Sequence, residues 1–359
     1  MEVVYGIPVV GVLFQFIGYL IDVTPGIAPI VLGLAAPIAL GALCGIMNER
    51  SGIVNIGIEG MMLSGAFAGF LAAGLFQQTF GGDAWGPFGV TPALLVGVVA
   101  AIATAMILSA LHAWLSITVS ADQIISGTII NIAALGLTGY LNRLLISPNP
   151  RLGAGTFSSL DLPREVTDLP VIGWLIDMFL SQGPVAMSVI VFVLVLQLLL
   201  FRSRWGLRTR AVGEHPRAAD TVGIRVTRLR YRNVIVGGIF AGLAGAYLTL
   251  EATGSFQNNM SAGRGFIALA AVIFGRWTPI GAWGAALLFA FSGAFGQAVR
   301  IRPPGDEYAD LGNIMAAIPS QVYGALPYIV TIVILAGVVG RSIPPAAVGR
   351  PYEKEGKTA

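Results

Sequence analysis

Ten long apolar stretches leave this chain few ways to fold. They lie at about 3–21, 25–47, 57–77, 91–115, 121–146, 184–201, 233–251, 264–275, 281–299 and 325–341. A helix crossing the roughly 30 Å hydrocarbon layer of a bilayer needs about 20 mostly apolar residues. Backbone in lipid must also satisfy its own hydrogen bonds, which selects helices. The expectation is an all-α, polytopic transmembrane helical bundle of about ten spans. Only 11% of the residues are charged, where soluble domains carry about a quarter. The 47 glycines suit helix backbones that approach closely. The first stretch has no Lys or Arg ahead of it and no small-residue cleavage site, so it reads as a retained helix and not a signal peptide.

Charge placement sets the orientation. Residues 202–232 hold nine of the 19 arginines, against only Glu214 and Asp220, and such loops stay in the cytoplasm. Alternating outward from that loop places both termini inside and the 148–183 loop outside. Lys and Arg then number fifteen inside and six outside. Residues 1–342 form the membrane domain on this reading, and residues 343–359 form a cytoplasmic tail. Ten spans divided five and five would make the second half an inverted copy of the first, a common transporter plan. The eighth stretch is short enough to be re-entrant.

Several chemistries lack raw material. The only lysines are Lys354 and Lys357, so a phosphate-cradling GxxxxGK[ST] loop cannot form. Two histidines, His112 and His215, and the single Cys44 are too few for Cys/His zinc sites or disulfides. Cys44 reads as a small apolar residue. No enzymatic activity, resident cofactor, metal or nucleic-acid partner is expected.

Polar residues inside apolar spans are the candidates for function. NERSGIVNIGIEGMMLSG, residues 48–65, places Asn55, Gly57, Glu59 and Gly60 at the start of a span. A charge at the bilayer centre costs about 2.5–3.5 kcal/mol on insertion scales, so Glu59 should face a partner or a water-filled cavity. The competing reading makes Glu59 a surface cap on the helix it opens. Gly57 and Gly60 would permit an interrupted helix whose freed amides meet a polar solute. In ADQIISGTIIN, residues 121–131, helical spacing puts Asp122 and Ser126 on one face and Gln123 with Asn131 on another. The amides of Gln123 and Asn131 suit sugar hydroxyls and base edges, and equally suit bonds between helices. Asn258, in the run Gln257 to Asn259, shares that ambiguity. Asn142, Gln197 and Gln297 read as packing residues, and Trp205, Trp277 and Trp283 as interfacial aromatics. The loop with Arg300, Arg302, Asp306, Glu307 and Asp310 reads as solvated.

The arginine-rich loop has its own internal pattern. In GEHPRAADTVGI, Pro216 can open a short helix, Ala218 and Ala219 give it a small-residue face, and Gly223 can end it. Such a helix fits a partner's groove. The alternative is an anchor on anionic membrane lipid.

NERSGIVNIGIEGMMLSGAFAG, ADQIISGTIINIAALGLT, RAVGEHPRAADTVGIRVTRLRYRNVIVGGIFAGLAGAYL and GRGFIALAAVIFGRWTPIGAW, in that order, resemble the bacterial ABC-importer permeases of the simple-sugar and branched-chain-amino-acid superfamily. The NIGIEGMM form looks most like its nucleoside branch. The resemblance covers about residues 30–342 and implies a translocation subunit in the inner membrane. It also implies a cytoplasmic ATPase that binds the ATP, a second and different permease chain, and an extracellular substrate-binding lipoprotein. Arg217 to Gly223 would be a variant of the family's EAA-x3-G coupling signature, with Arg217 where Glu is usual and without the Ile-x-Leu-Pro that often follows. The coupling set is then Glu214, Pro216, Arg217, Ala218, Ala219, Asp220 and Gly223, and the substrate path Asn55, Glu59, Gln123, Asn131 and Asn258. The rivals are a monosaccharide permease of the same family and a carrier driven by an ion gradient through Glu59 and Asp122.

Overall fold

The computed structural model describes residues 8–167, 169, 172–337 and 342–353. Arg341, Lys354 and Lys357, three of the cations assigned to the inner side, lie outside the described residues. The architecture is helical, and among the described residues the one β-bridge is the isolated pair Trp85–Val90. The helices are α1 (Pro8–Glu49), α2 (Ile58–Phe80), α3 (Pro92–Ala113), α4 (Gln123–Leu141), α5 (Arg164–Thr167), α6 (Gly173–Leu180) and α7 (Pro184–Arg202). They continue as α8 (Arg204–Glu214), α9 (Pro216–Thr221), α10 (Val226–Ala246), α11 (Arg264–Phe274), α12 (Pro279–Ile301), α13 (Ala309–Ala316) and α14 (Ser320–Gly337). The helices α3, α4 and α10 run on into π-helical turns at Trp114–Thr118, Asn142–Ile146 and Tyr247–Thr253.

Seven described helices are long and apolar enough to cross a membrane. The difference from ten has identifiable sources. The first two apolar stretches form one helix of 42 residues, because Thr24 and Pro25 do not end it. The Thr24 hydroxyl donates back to Leu20 O at 2.6 Å, the i−4 bond that a hydroxyl makes within a continuing helix. The eighth stretch is α11, with 11 residues, about 16 Å of helix and too short to span. The tenth falls on α14 and runs into residues 338–341, outside the described set.

Two compact units are built from interleaved segments. In the unit comprising residues 35–160, 183–286 and the tail, α2 and α10 are interior, with 78% and 72% of their most apolar windows buried. The helices α3, α4 and α7 are peripheral, at 28%, 28% and 33%. Their exposed side chains are large and apolar, such as Val99, Ile107, Ile132 and Leu198, which is the signature of a lipid-facing surface. Glycine sets how closely the interior helices approach. A Cβ on Gly242 would lie 2.5 Å from Ile102 Cα, and one on Gly245 would lie 2.4 Å from Met62 O. This is the small-residue packing that brings helix backbones together in membranes.

The other unit contains residues up to 34, 161–182 and 287–340. Its centre is aromatic: Phe16 and Tyr19 meet Phe295 edge to face at 6.0 and 6.2 Å. The loop at 302–311, read from sequence as solvated, is tied to α1. Tyr19 donates to Arg302 O at 2.7 Å, Leu311 N donates to Gln15 Oε1 at 3.0 Å, and Tyr308 donates to Asp22.

Candidate functional site

After α1 ends at Glu49, the chain turns at Gly52, whose φ of +92° favours glycine. It then runs without helical hydrogen bonds to Gly57, and Ile53 and Asn55 are fully buried there. Non-helical backbone in a membrane protein survives only when protein groups satisfy it. The residues that the sequence marked as polar candidates do that here. Gln123 Oε1 accepts from Val54 N at 2.7 Å. Asn131 grips the segment twice, accepting from Gly60 N at 2.8 Å and donating to Ile56 O at 3.0 Å. Asn55 Oδ1 accepts from Gly57 N at 3.0 Å. His112, which sequence reasoning passed over, completes the brace: its Nε2 donates to Val54 O at 2.9 Å and its Nδ1 pairs with Ser126 Oγ at 3.0 Å. The bond to a carbonyl fixes the tautomer with the proton on Nε2.

Glu59 lies in the first turn of α2 and is 7% exposed. It does not cap its own helix. Its two oxygens accept from Gly263 N at 2.8 Å and Gly265 N at 2.6 Å, so it seals the N-terminus of α11. The first amides of a helix lack intrahelical partners and carry partial positive charge, so a carboxylate is a fitting ligand. Gly265 has to be glycine, because a Cβ there would lie 2.6 Å from Glu59 Cα.

A second carboxylate repeats the device. Glu251, in the π-helical end of the α10 span, accepts from Val185 N at 2.7 Å and Ala186 N at 3.0 Å, which seals the N-terminus of α7. A Cβ on Gly183 would lie 2.4 Å from the Glu251 carboxyl carbon. The cost of an in-span charge that singled out Glu59 applies equally to Glu251.

The far end of α11 is held by the end of α1. Trp277 donates through its indole to Glu49, while Arg50 donates to Trp277 O at 2.8 Å and Arg276 O at 3.2 Å. Both Arg276 and Trp277 have positive φ, 52° and 53°, a strained turn kept by these bonds. Trp277 is therefore a buried structural residue, not the interfacial aromatic its position suggested. Burial pulls the Arg50 guanidinium below the ordinary arginine range, and the Glu214 carboxylate opposes that shift.

Asp122 and Ser126 do not share a working face. Asp122 is the N-cap of α4, where its carboxylate accepts from Ile124 N and Ile125 N at 2.8 and 3.0 Å. Asn258 Oδ1 accepts from Asn142 at 2.9 Å, apart from the braced segment. Buried polar atoms among the described residues that lack a partner include Gln123 Nε2, Asn48 Oδ1 and Ser261 Oγ.

The loop at 202–232 is an ordered platform. Trp205 donates to Asn233 Oδ1 at 3.1 Å, and Asn233 donates to Thr209 at 3.1 Å, which fixes α8 against α10. Pro216 opens α9, and Gly223, at φ +84°, follows its end. Ala219 is buried with Val212 and Val226, whereas Arg217, Ala218 and Val222 face outward. The tail runs beside this helix. Ala346 N donates to Glu214 at 3.0 Å, Ala347 N donates to Gly213 O at 2.9 Å, and the buried Arg230 donates to Ser51 O and Arg350 O at 3.0 and 3.2 Å. A cavity of about 580 Å³ lies between α9 and the tail.

Taken together, these features define a polytopic helical membrane protein whose scarce polar groups brace a broken segment and seal the ends of half-buried helices. The chain belongs to the branched-chain amino acid transport system / permease component family, whose model matches residues 27–335. It is 37% identical over 91% of its length, and 96% of the relative's, to the guanosine ABC transporter permease protein NupQ of Bacillus subtilis (strain 168). It is 35% identical to the nucleoside ABC transporter permease protein NupC of Lactococcus lactis subsp. cremoris (strain MG1363), over 89% of this chain and 94% of that one. A more distant relative, at 25% identity over 76% of this chain and 69% of its own, is the glucose ABC transporter permease protein TsgB13 of Haloferax volcanii. No solved structure matches.

Proposed function

We propose that the chain is the membrane-spanning subunit of an ATP-driven importer that moves nucleosides across the inner membrane. The observation that carries this reading is the 37% identity, over nearly the whole of both chains, to a guanosine permease. Monosaccharide transport is the second reading, favoured by the glucose permease among the relatives. An ion-coupled carrier is disfavoured, because Glu59 is occupied by two backbone amides and Asp122 by an N-cap.

In this reading ATP is bound and hydrolysed by a separate cytoplasmic ATPase, a binding lipoprotein delivers the solute outside, and a second, different permease chain completes the pathway. The membrane domain is residues 1–342. The C-terminal tail and the 202–232 loop are cytoplasmic, and the 148–183 loop is outside. The ATPase engages α9 through Arg217 and Ala218, with Glu214, Pro216, Ala219, Asp220 and Gly223 shaping that surface.

Movement imposed on α9 passes to α10, which follows it in the chain. From α10 it reaches α7 through Glu251, and α2 through the close contact at Gly245. From α2 it reaches α11 through Glu59. Asn55, Gln123 and Asn131 hold the broken segment at a fixed place on the substrate path, with Glu59 at its end and Asn258 beyond it. This rigidity fits a low-affinity path, because polar groups held by backbone, as the Asn131 amide and the Glu59 carboxylate are, offer the solute no deep trap.

The reading is tested by uptake of radiolabelled guanosine, adenosine, uridine and ribose in cells with the gene deleted and restored. Restoration of nucleoside uptake supports it, and restoration of ribose uptake alone transfers the chain to the sugar branch.

A further inference from the structure

On the cytoplasmic end of the bundle, two concavities of opposite character share one residue. The first is a groove of about 240 Å³ with an almost wholly apolar wall, between α7 and α10. The second is a basic hollow of about 360 Å³ bordered by Arg208, Arg225, Arg228 and Arg232. Arg232 borders both. We propose that together they bind one anionic phospholipid, with a hydrocarbon chain in the groove and the phosphodiester among the four arginines.

The dimensions fit a single lipid leaflet. Arg232, Val236 and Phe240 lie at i, i+4 and i+8 on α10, so the groove runs about 12 Å along the helix. Half the hydrocarbon thickness of a bilayer is about 15 Å. The deep end is closed by Phe240 against Phe192, edge to face at 5.6 Å. The outer lip is formed by Val195 and Leu199 of α7, which are 45% and 44% exposed and so open the groove to lipid. At the mouth stands Trp205, half-buried, whose indole donates to Asn233 at 3.1 Å. An aromatic with one wet and one apolar end belongs at headgroup depth.

Charge then selects the lipid. Arg228 and Arg232 are four residues apart on one face of α10 and Arg225 is its N-cap, so the like charges lie in successive turns and repel. All four arginines are exposed, and among the described residues none is paired with a carboxylate. An anionic headgroup relieves that repulsion, which a zwitterionic one does to a far smaller degree. Each basic group near a membrane surface favours anionic lipid by about fivefold.

The test is native mass spectrometry of the full-length purified chain in detergent. The probes are dioleoyl phosphatidylglycerol, dioleoyl phosphatidylcholine, and the chainless headgroup glycerophosphoglycerol. Phosphatidylglycerol should be retained at least about tenfold more tightly than phosphatidylcholine, and the chainless headgroup should not be retained. Arg232→Ala should weaken phosphatidylglycerol by about fivefold. Val236→Trp, which fills the groove and leaves every charge in place, should weaken it comparably, and Arg151→Ala should not. Equal retention of the two lipids overturns the proposal. So does loss with Arg232→Ala but not with Val236→Trp, which would make the arginines a surface for free phosphate or an acidic protein. Should Arg232→Ala not fold, Arg228→Ala gives the same reading.

Discussion

Removal of the Glu59 carboxylate is the perturbation whose effect the geometry specifies most fully. In Glu59→Ala the part-buried amide of Gly263 and the buried amide of Gly265 lose acceptors at 2.8 and 2.6 Å. Leaving a buried donor unpaired costs about 1–3 kcal/mol, and loss of a charge at a helix N-terminus adds about 0.3–2 kcal/mol. Taking about 3 kcal/mol as a low total, the start of α11 should open about 100-fold more often, since tenfold corresponds to about 1.4 kcal/mol. Hydrogen–deuterium exchange of the intact chain in lipid nanodiscs reads this directly, in peptides covering residues 256–268. Glu59→Gln keeps one acceptor oxygen and turns its NH2 toward the other donor, so about half the effect, roughly tenfold, should remain. Glu251→Ala should leave 256–268 unchanged and accelerate exchange at Val185 and Ala186. A change below about threefold at 263–265 in Glu59→Ala, or an equal rise in both segments with either variant, would refute the assignment of two independent seals.

Other consequences follow from the same contacts. Asn131→Ala removes one bond to Ile56 O in the broken segment and one to Gly60 N in the first turn of α2 and should cost about 2–4 kcal/mol, seen as a fall in the thermal unfolding midpoint, with Asn131→Asp intermediate. Gly245→Ala places a methyl 2.4 Å from Met62 O and should destabilise by about 1–3 kcal/mol; an unchanged midpoint would show that α2 and α10 are not closely packed there. Arg230→Met releases the carbonyls of Ser51 and Arg350, so amide hydrogen exchange in peptides covering residues 345–353 should rise several-fold while exchange around Arg217 is unchanged. Ala218→Glu on the exposed face of α9 should abolish co-purification of the ATPase without lowering the unfolding midpoint.

Much of the fold was legible because apolar length and helix chemistry act locally. Eight of the ten stretches coincide with one helix each, and Pro216 with Gly223 delimits α9 as the turn chemistry requires. The first two stretches belong to one helix, because apolar length marks a span without marking where its helix ends. The site was legible in its residues and not in their roles. Asn55, Glu59, Gln123 and Asn131 stood out as polar groups in apolar surroundings, and each is indeed committed. What they are committed to is backbone belonging to segments as much as 206 residues away, and a local pattern cannot name such a partner. His112 and Arg230 were hidden for the same reason. One lone imidazole and one arginine among nine carry no signal until the carbonyls they satisfy are placed beside them.

The central claim is that transport through this chain is driven by ATP and carries nucleosides. Radiolabelled guanosine uptake in a deletion strain carrying the restored gene tests it most directly, with ATP depletion and a protonophore applied separately. Uptake that stops on ATP depletion and persists when only the proton gradient is collapsed is the predicted result. Uptake that survives ATP depletion and falls with the proton gradient would contradict it.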